Sequence, residues 1–361
     1  MRKYYLDNIR WGIVVLVVLY HIIYLFNSVG VVSNIKAEGI PIMDTFLYMV
    51  YPWFMTCLFV VAGISARYSL QKRSDREFIK ERVIKLLIPS IAGIFIFGWI
   101  SGSITAKLTG MFDGTEIPAF VKYLLCSLIG TGPLWFAQEL FLVSFILLII
   151  RRIDKKDRIW KLCGRCNLFV ILLLFFGVWG SSFLLNTPVV IVYRNGIYLF
   201  MFLLGYYVFS HTEVLELLKK WKLQLLIAAA ASGLLFVIKF YGQDYTSSAC
   251  LQHPLTNLFA WLTILAILGA AGSWFNFSNS FIKYMSGRSF AIYVLHYPLM
   301  VLITYIITAY LDFPPIINYL LVFISVIIIL PCICEIIIRL PVIRFLVLGI
   351  TKNKNDIPHR S

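Results

Sequence analysis

Long apolar stretches separated by short polar segments set the pattern of this chain. Stretches near 9–28, 45–66, 83–105, 132–150, 168–186, 195–210, 223–241, 255–273, 287–310 and 316–338 approach the roughly 20 apolar residues that a helix needs to cross a bilayer. The sixth is short. Lipid offers no hydrogen-bond partner to a backbone, so such stretches must be helical. The pattern predicts an all-α fold: a polytopic membrane bundle of about ten transmembrane helices. Residues 1–345 would form one transmembrane domain and 346–361 a polar cytoplasmic tail. Neither a polar linker nor an internal repeat divides the chain.

Charge orients the bundle. Of the 32 Lys and Arg, 27 fall in the N-terminal segment through Arg10, in 67–85, 151–165, 211–222 and 273–288, and from Arg339 onward. The other five are Lys36, Lys107, Lys122, Arg194 and Lys239. Positive loops stay in the cytoplasm, which puts both termini inside. The net charge of +15 is then first a signal of topology. It gives no reason to invoke nucleic acid, which would need a basic patch on a folded soluble surface. The composition agrees: 60% of the 361 residues are hydrophobic and 14% charged, against about a quarter charged in soluble domains. The stretch Trp11 to Phe26 has no small-x-small cleavage site after it and reads as a retained first helix. Cys163-Gly-Arg-Cys166 is a CxxC without the two further ligands that zinc requires, so no metal is expected.

Ionisable residues inside lipid are costly, and each is a candidate for function. Arg10 and His21 share the first span. Eleven residues turn an α-helix by about 1100°, so both lie on one face about 16 Å apart. Asp7 stands three residues before Arg10 and can pair with it. His21 reads either as a general base for a hydroxyl proton or as a packed imidazole bonded to a carbonyl. Glu139, in Leu134-Trp135-Phe136-Ala137-Gln138-Glu139, needs a partner or a proton. It could orient a histidine, bind hydroxyls or fix a helix contact. His296 precedes Pro298, which frees the carbonyl of Val294; the histidine lines a cavity or satisfies the broken ladder. Arg82 and Lys85 stand at i, i+3 at the entrance of the third span, where two cations could hold phosphates. Asp244, Tyr245, Gln252 and His253 share an outer loop that could touch a sugar.

These residues also carry a family likeness. Tyr5-Leu-Asp7-Asn-Ile-Arg10 followed by ten residues and His21 resembles the Arg-x10-His signature of the acyltransferase-3 family of bacterial membrane O-acyltransferases. Phe59 to Gly63 with Arg67-Tyr-Ser-Leu-Gln-Lys-Arg73 and Phe78 to Pro89 resembles its second motif. Gly132-Pro-Leu-Trp135-Phe136 and Ser289 to Pro298, with Tyr293, resemble two later ones, and Arg339 to Arg344 resembles its usual ending. The likeness runs in order along nearly the whole chain, closest to a glucan-modifying branch. It implies ten helices in the bacterial cytoplasmic membrane. It also implies acyl transfer with His21 essential, and a donor handled by the arginine motif at the start of the third span. On that reading Arg10 and Asp7 join His21 as catalytic candidates, acyl-CoA is the expected donor with Arg67, Arg82 and Lys85 as its contacts, and Trp135, Glu139, Tyr293 and His296 are candidate site-lining residues. No tightly bound cofactor is expected. The acceptor would be a carbohydrate, with glycan synthesis or export proteins as partners. Two positions depart from the pattern: Lys85 replaces the usual Arg and loses its bidentate fork, and Ala62 replaces a frequent serine. A transporter of a glycan or lipid-linked sugar is the rival reading, weakened by the lack of repeated halves.

Overall fold

The computed structural model describes residues 3–35, 37–154, 156–186 and 193–351. Among them every regular element is a helix, apart from one isolated bridge between Asn186 and Arg194. In chain order these are α1 (Tyr4–Tyr24), α2 (Pro41–Val50), α3 (Phe54–Leu70), α4 (Asp75–Thr109), α5 (Ala119–Ile129), α6 (Gly132–Ile153), α7 (Arg158–Cys163) and α8 (Leu168–Ser181). Then follow α9 (Asn195–Tyr207), α10 (Thr212–Lys220), α11 (Lys222–Phe240), α12 (Ser248–Leu251), α13 (Pro254–Trp274), α14 (Ser280–Tyr310), α15 (Pro315–Arg339) and α16 (Pro341–Leu348). Lys36, Lys155 and the tail from Lys352 lie outside the described residues.

Eight of the ten predicted stretches form helices long and apolar enough to cross a membrane: α1, the α2–α3 pair, α4, α6, α11, α13, α14 and α15. The sixth stretch is a bent pair, α9 and α10, meeting at 102°. The fifth is the shorter apolar helix α8, of 14 residues. The helix α5 was not anticipated. Its 11 residues are too few to register as a span, and Lys122 interrupts the apolar run. The polar tail also begins later than expected, because α16 carries helix through Leu348 and ends on Gly349 in the left-handed region.

The chain divides into two compact units. The first comprises the residues up to Val32, Glu38–Phe78 and Leu142–Ser289; the second comprises Ser33–Ala37, Ile79–Phe141 and the residues from Phe290 onward. The chain passes between them on either side of Ser33–Ala37 and within α4, α6 and α14.

Helices in lipid gain little from burying apolar surface against one another, so close backbone approach carries the packing. The first unit shows this where α3 crosses α9. A Cβ added to Gly63 would sit 2.0 Å from the carbonyl oxygen of Phe202, and one added to Gly205 would sit 2.1 Å from that of Val60. The second unit repeats the device with Gly98-Trp-Ile-Ser-Gly102 on α4. Added Cβ atoms there would lie 2.7 Å from the Ser127 carbonyl oxygen and 1.8 Å from that of Cys126 on α5.

Within α4 the turns Val83–Leu87 and Ile94–Gly98 widen to π-helix. Pro89 explains the first. It has no N–H and its ring would strike the carbonyl one turn back. The N–H of Ile88 reaches five residues back to Val83, which opens the turn ahead of the proline. Lys85 sits in this widened turn, so the i, i+3 geometry assumed for Arg82 and Lys85 in a regular α-helix does not hold there.

Gly63→Val should remove the α3–α9 crossing, with the folded monodisperse fraction and the thermal midpoint both falling sharply. Ile227→Val on an exposed face should leave both unchanged. Fluorescence-detected size exclusion with a heating series checks the pair.

Candidate functional site

The first unit holds Asp7, Arg10, His21 and Arg67. The second holds Arg82, Lys85, Trp135, Glu139, Tyr293 and His296. Each group is built by its own helices.

The helix α1 is unbroken from Tyr4 to Tyr24, so Arg10 and His21 occupy the shared face that their spacing predicted. Arg10 is half-exposed. Its guanidinium donates to the carboxylate of Asp7 at 3.2 Å and to the hydroxyl of Ser65 on α3 at 2.9 Å. The predicted i, i+3 pair is therefore made, and a second helix joins it. His21 is half-buried, and its Nδ1 lies 2.9 Å from the carbonyl oxygen of Val17. A carbonyl only accepts, so Nδ1 carries a proton. This is the backbone contact of the packed-imidazole reading, and it holds the ring on the face shared with Arg10.

Beyond His21 the same unit gathers tyrosines from three separate segments. The rings of Tyr20 and Tyr24 stand 5.1 and 6.1 Å from the imidazole, both edge-on. Tyr20 stacks on Tyr24 and Tyr51 and shares a 3.2 Å hydrogen bond with the hydroxyl of Tyr245. Tyr51 meets Tyr245 edge-on at 5.0 Å. Tyr48 packs on Tyr241 and Tyr245 and donates to the carbonyl of Gln243. Of these only Tyr245 was singled out from the sequence. The signal for the rest, a run of Tyr in Tyr20, Tyr24, Tyr48 and Tyr51, is hidden among 20 tyrosines.

At the opposite end of α3, Arg67 is nearly buried. Its Nη1 and Nη2 bind the two carboxylate oxygens of Asp157 at 2.9 and 3.1 Å, and Nη1 also donates to the hydroxyl of Tyr206. The guanidinium lies over the rings of Trp160, at 4.2 Å, and Tyr206, at 5.4 Å. Asp157 holds the left-handed region (φ 51°) just before α7. The indole N–H of Trp160 donates to Ser210, and its ring stacks on His211 at 3.9 Å. His211 Nε2 lies 2.8 Å from the Trp160 carbonyl oxygen. Arg67 was expected to face a donor, and it faces a carboxylate of its own chain.

In the second unit Lys85 is exposed and pairs with Glu81 at 2.6 Å, while Arg82 is half-exposed. Glu139 is 2% exposed, and its Oε1 has no hydrogen-bond partner among the described residues. Tyr293 donates to the carbonyl of Pro133 and meets Phe136 edge-on at 5.9 Å, so the two motifs carrying Trp135 and Tyr293 do meet. His296 is fully buried. Its Nδ1 donates to the carbonyls of Tyr293, at 2.7 Å, and Ile292, at 3.2 Å. Neither is the Val294 carbonyl that Pro298 frees. Among the described residues no group of three or more His, Cys, Asp or Glu side chains could hold a metal.

Comparison with known proteins places the chain in a family. A family profile described as "Acyltransferase domain" matches residues 3–334. The chain belongs to the acyltransferase-3 family. It is therefore a multi-pass membrane acyltransferase, one that transfers groups other than amino-acyl groups, and the transporter reading falls. Among the relatives of this acyltransferase are the glucans biosynthesis protein C of Escherichia coli K12 and those of strains O6:K15:H31 and O157:H7. Each is 23% identical over 380 residues, covering 98% of this chain and 97% of the relative. No solved structure matches the acyltransferase.

The bond from Arg67 holds the carboxyl of Asp157 below the usual carboxylate range. A lowered native value stabilises the fold above the unfolded value, and the contribution is lost as pH falls through the lowered one. Wild type should therefore melt above Asp157→Asn near neutral pH. The two should converge as pH drops below about 3.9, the ordinary aspartate value. Scanning fluorimetry in detergent across that range checks the convergence.

Proposed function

We propose that this acyltransferase moves an acyl group from cytoplasmic acyl-CoA to a hydroxyl of a cell-envelope or exported carbohydrate, at the bacterial cytoplasmic membrane. The observation that carries the reading is the bond from His21 Nδ1 to Val17, which fixes the imidazole on a half-buried face of α1 that it shares with Arg10.

Nε2 takes the proton of the acceptor hydroxyl while its oxygen attacks the thioester carbonyl. The C–S bond breaks as the tetrahedral intermediate collapses, and the imidazolium returns its proton to the departing thiolate. The bond to Val17 keeps the ring in one tautomer and one orientation throughout. Arg10, braced by Asp7 and Ser65, supplies a fixed positive charge lower on the same face.

Two features support a carbohydrate acceptor. The relatives are named for glucan biosynthesis. The tyrosines beside His21 offer apolar ring faces together with hydroxyls, a pairing suited to sugars. For the donor, Arg82 and Lys85 lie at the end of α4 nearer the termini's side of the charge pattern, where positive loops mark the cytoplasm. Both can meet CoA phosphates, and Lys85 would have to leave Glu81 to do so.

Removing a general base typically costs on the order of 100-fold to 10,000-fold in rate. His21→Ala should therefore lose about that much turnover of labelled acyl-CoA by reconstituted protein while keeping its elution profile; undiminished turnover would sink the role of His21. Arg82→Ala should raise the apparent KM for acyl-CoA several-fold and leave kcat nearly unchanged. An unaltered KM removes Arg82 from donor binding.

A further inference from the structure

Asp157 is placed where an incoming anion would have to go. Arg67 presents two parallel N–H groups, the fork that matches carboxylates and phosphates alike. Both are engaged by Asp157. The third, on Nε, is buried and has no hydrogen-bond partner among the described residues. The aromatic walls of Trp160 and Tyr206 hold the guanidinium in place from its faces. The site is thus rigid, cationic and incompletely satisfied by its present occupant.

The occupant is built to leave. The side chain of Asp157 is 42% exposed, against 8% for that of Arg67. Its backbone sits in the left-handed region, which residues other than glycine seldom adopt, aspartate less seldom than most. The wall behind it does not depend on it. Trp160 is held separately, by the hydroxyl of Ser210 and by its stack on His211. The start of α7 is held by Asp154, whose carboxylate accepts from the N–H groups of Arg158 and Ile159. Releasing Asp157 therefore frees one turn and leaves the rest of the site standing.

We propose that the Asp157 carboxylate is an internal stand-in for a phosphate of the donor. It latches Arg67 in the unliganded protein and is displaced when CoA binds. The proposal rests on the acyl transfer proposed above and extends its donor contacts, Arg82 and Lys85, to Arg67, the residue that the sequence pattern also offered for the donor. It adds that donor affinity is set by competition within the chain, so that the unliganded site never exposes a bare guanidinium to headgroup phosphates. Displacement exchanges one bidentate acceptor on Nη1 and Nη2 for another.

The test uses free CoA on the full chain in nanodiscs of neutral lipid, so that no turnover is needed. Hydrogen exchange read by mass spectrometry should speed up across the turn 154–158 when CoA is added, the opposite of the slowing that simple docking gives. Asp157→Asn keeps a residue that tolerates the left-handed region and removes the charge. It should exchange fast without CoA, show no further rise, and bind CoA up to about ten-fold more tightly, a gain of about 1.4 kcal/mol. Exchange in that turn that is unchanged or slowed by CoA overturns the proposal, as does an Asp157→Asn variant that binds CoA no more tightly than wild type. A rise caused by phosphatidylglycerol nanodiscs alone, with none from CoA, assigns the phosphate to a lipid headgroup and overturns the donor latch. If His21→Ala keeps full turnover, the base assignment fails while the exchange result still decides the latch.

Discussion

Two backbones touch at Gly63 and Gly205, and much of the first unit follows from that contact. In lipid, burying apolar surface gives helices little reason to associate, so the missing side chains matter more than any that are present. Gly63 lets α3 lie directly on α9. Arg67 follows one helical turn later on the same face, and Tyr206 follows Gly205 by one residue. The close crossing therefore sets the arginine against the tyrosine, and Asp157 and Trp160 complete the set from the neighbouring loop. A larger residue at either glycine would move the whole arrangement.

At the other end of the unit a single backbone carbonyl orients a histidine. By accepting from Nδ1, Val17 ties the ring of His21 to its own helix. His296 makes the same kind of bond one turn back along its own helix, yet it is sealed from solvent. The two histidines differ in access. Glu139, equally sealed, has one oxygen unmatched among the described residues.

The spans were legible because apolar runs of about 20 residues have few readings other than a helix in a bilayer. The pairing of Asp7 with Arg10, and their shared face with His21, were legible because helical geometry is periodic. Less could be read where partners are distant in the chain. Asp157 lies 90 residues after Arg67, and the tyrosines around His21 come from three segments, so no local pattern announces either group. The helix α5 escaped because it is short and carries Lys122. The widened turn ahead of Pro89 escaped because proline predicts a disturbance without specifying its form. The family likeness singled out Arg67 as a candidate but did not announce that a carboxylate of its own chain would engage it.

The interleaving of the two units bears on how the chain is assembled. The first unit has all its parts once α13 and the opening of α14 have been made. The second contains most of α4, α5 and the first half of α6, made early, yet its remaining helices are most of α14, α15 and α16, which come last. Gly349, at the close of α16, stands against the backbone of Ile84 and Lys85 in the widened turn of α4. The earliest helices of that unit must therefore wait in the bilayer through most of synthesis, with their glycine surfaces as their main means of staying together, until the final helix arrives to brace the turn that carries Lys85.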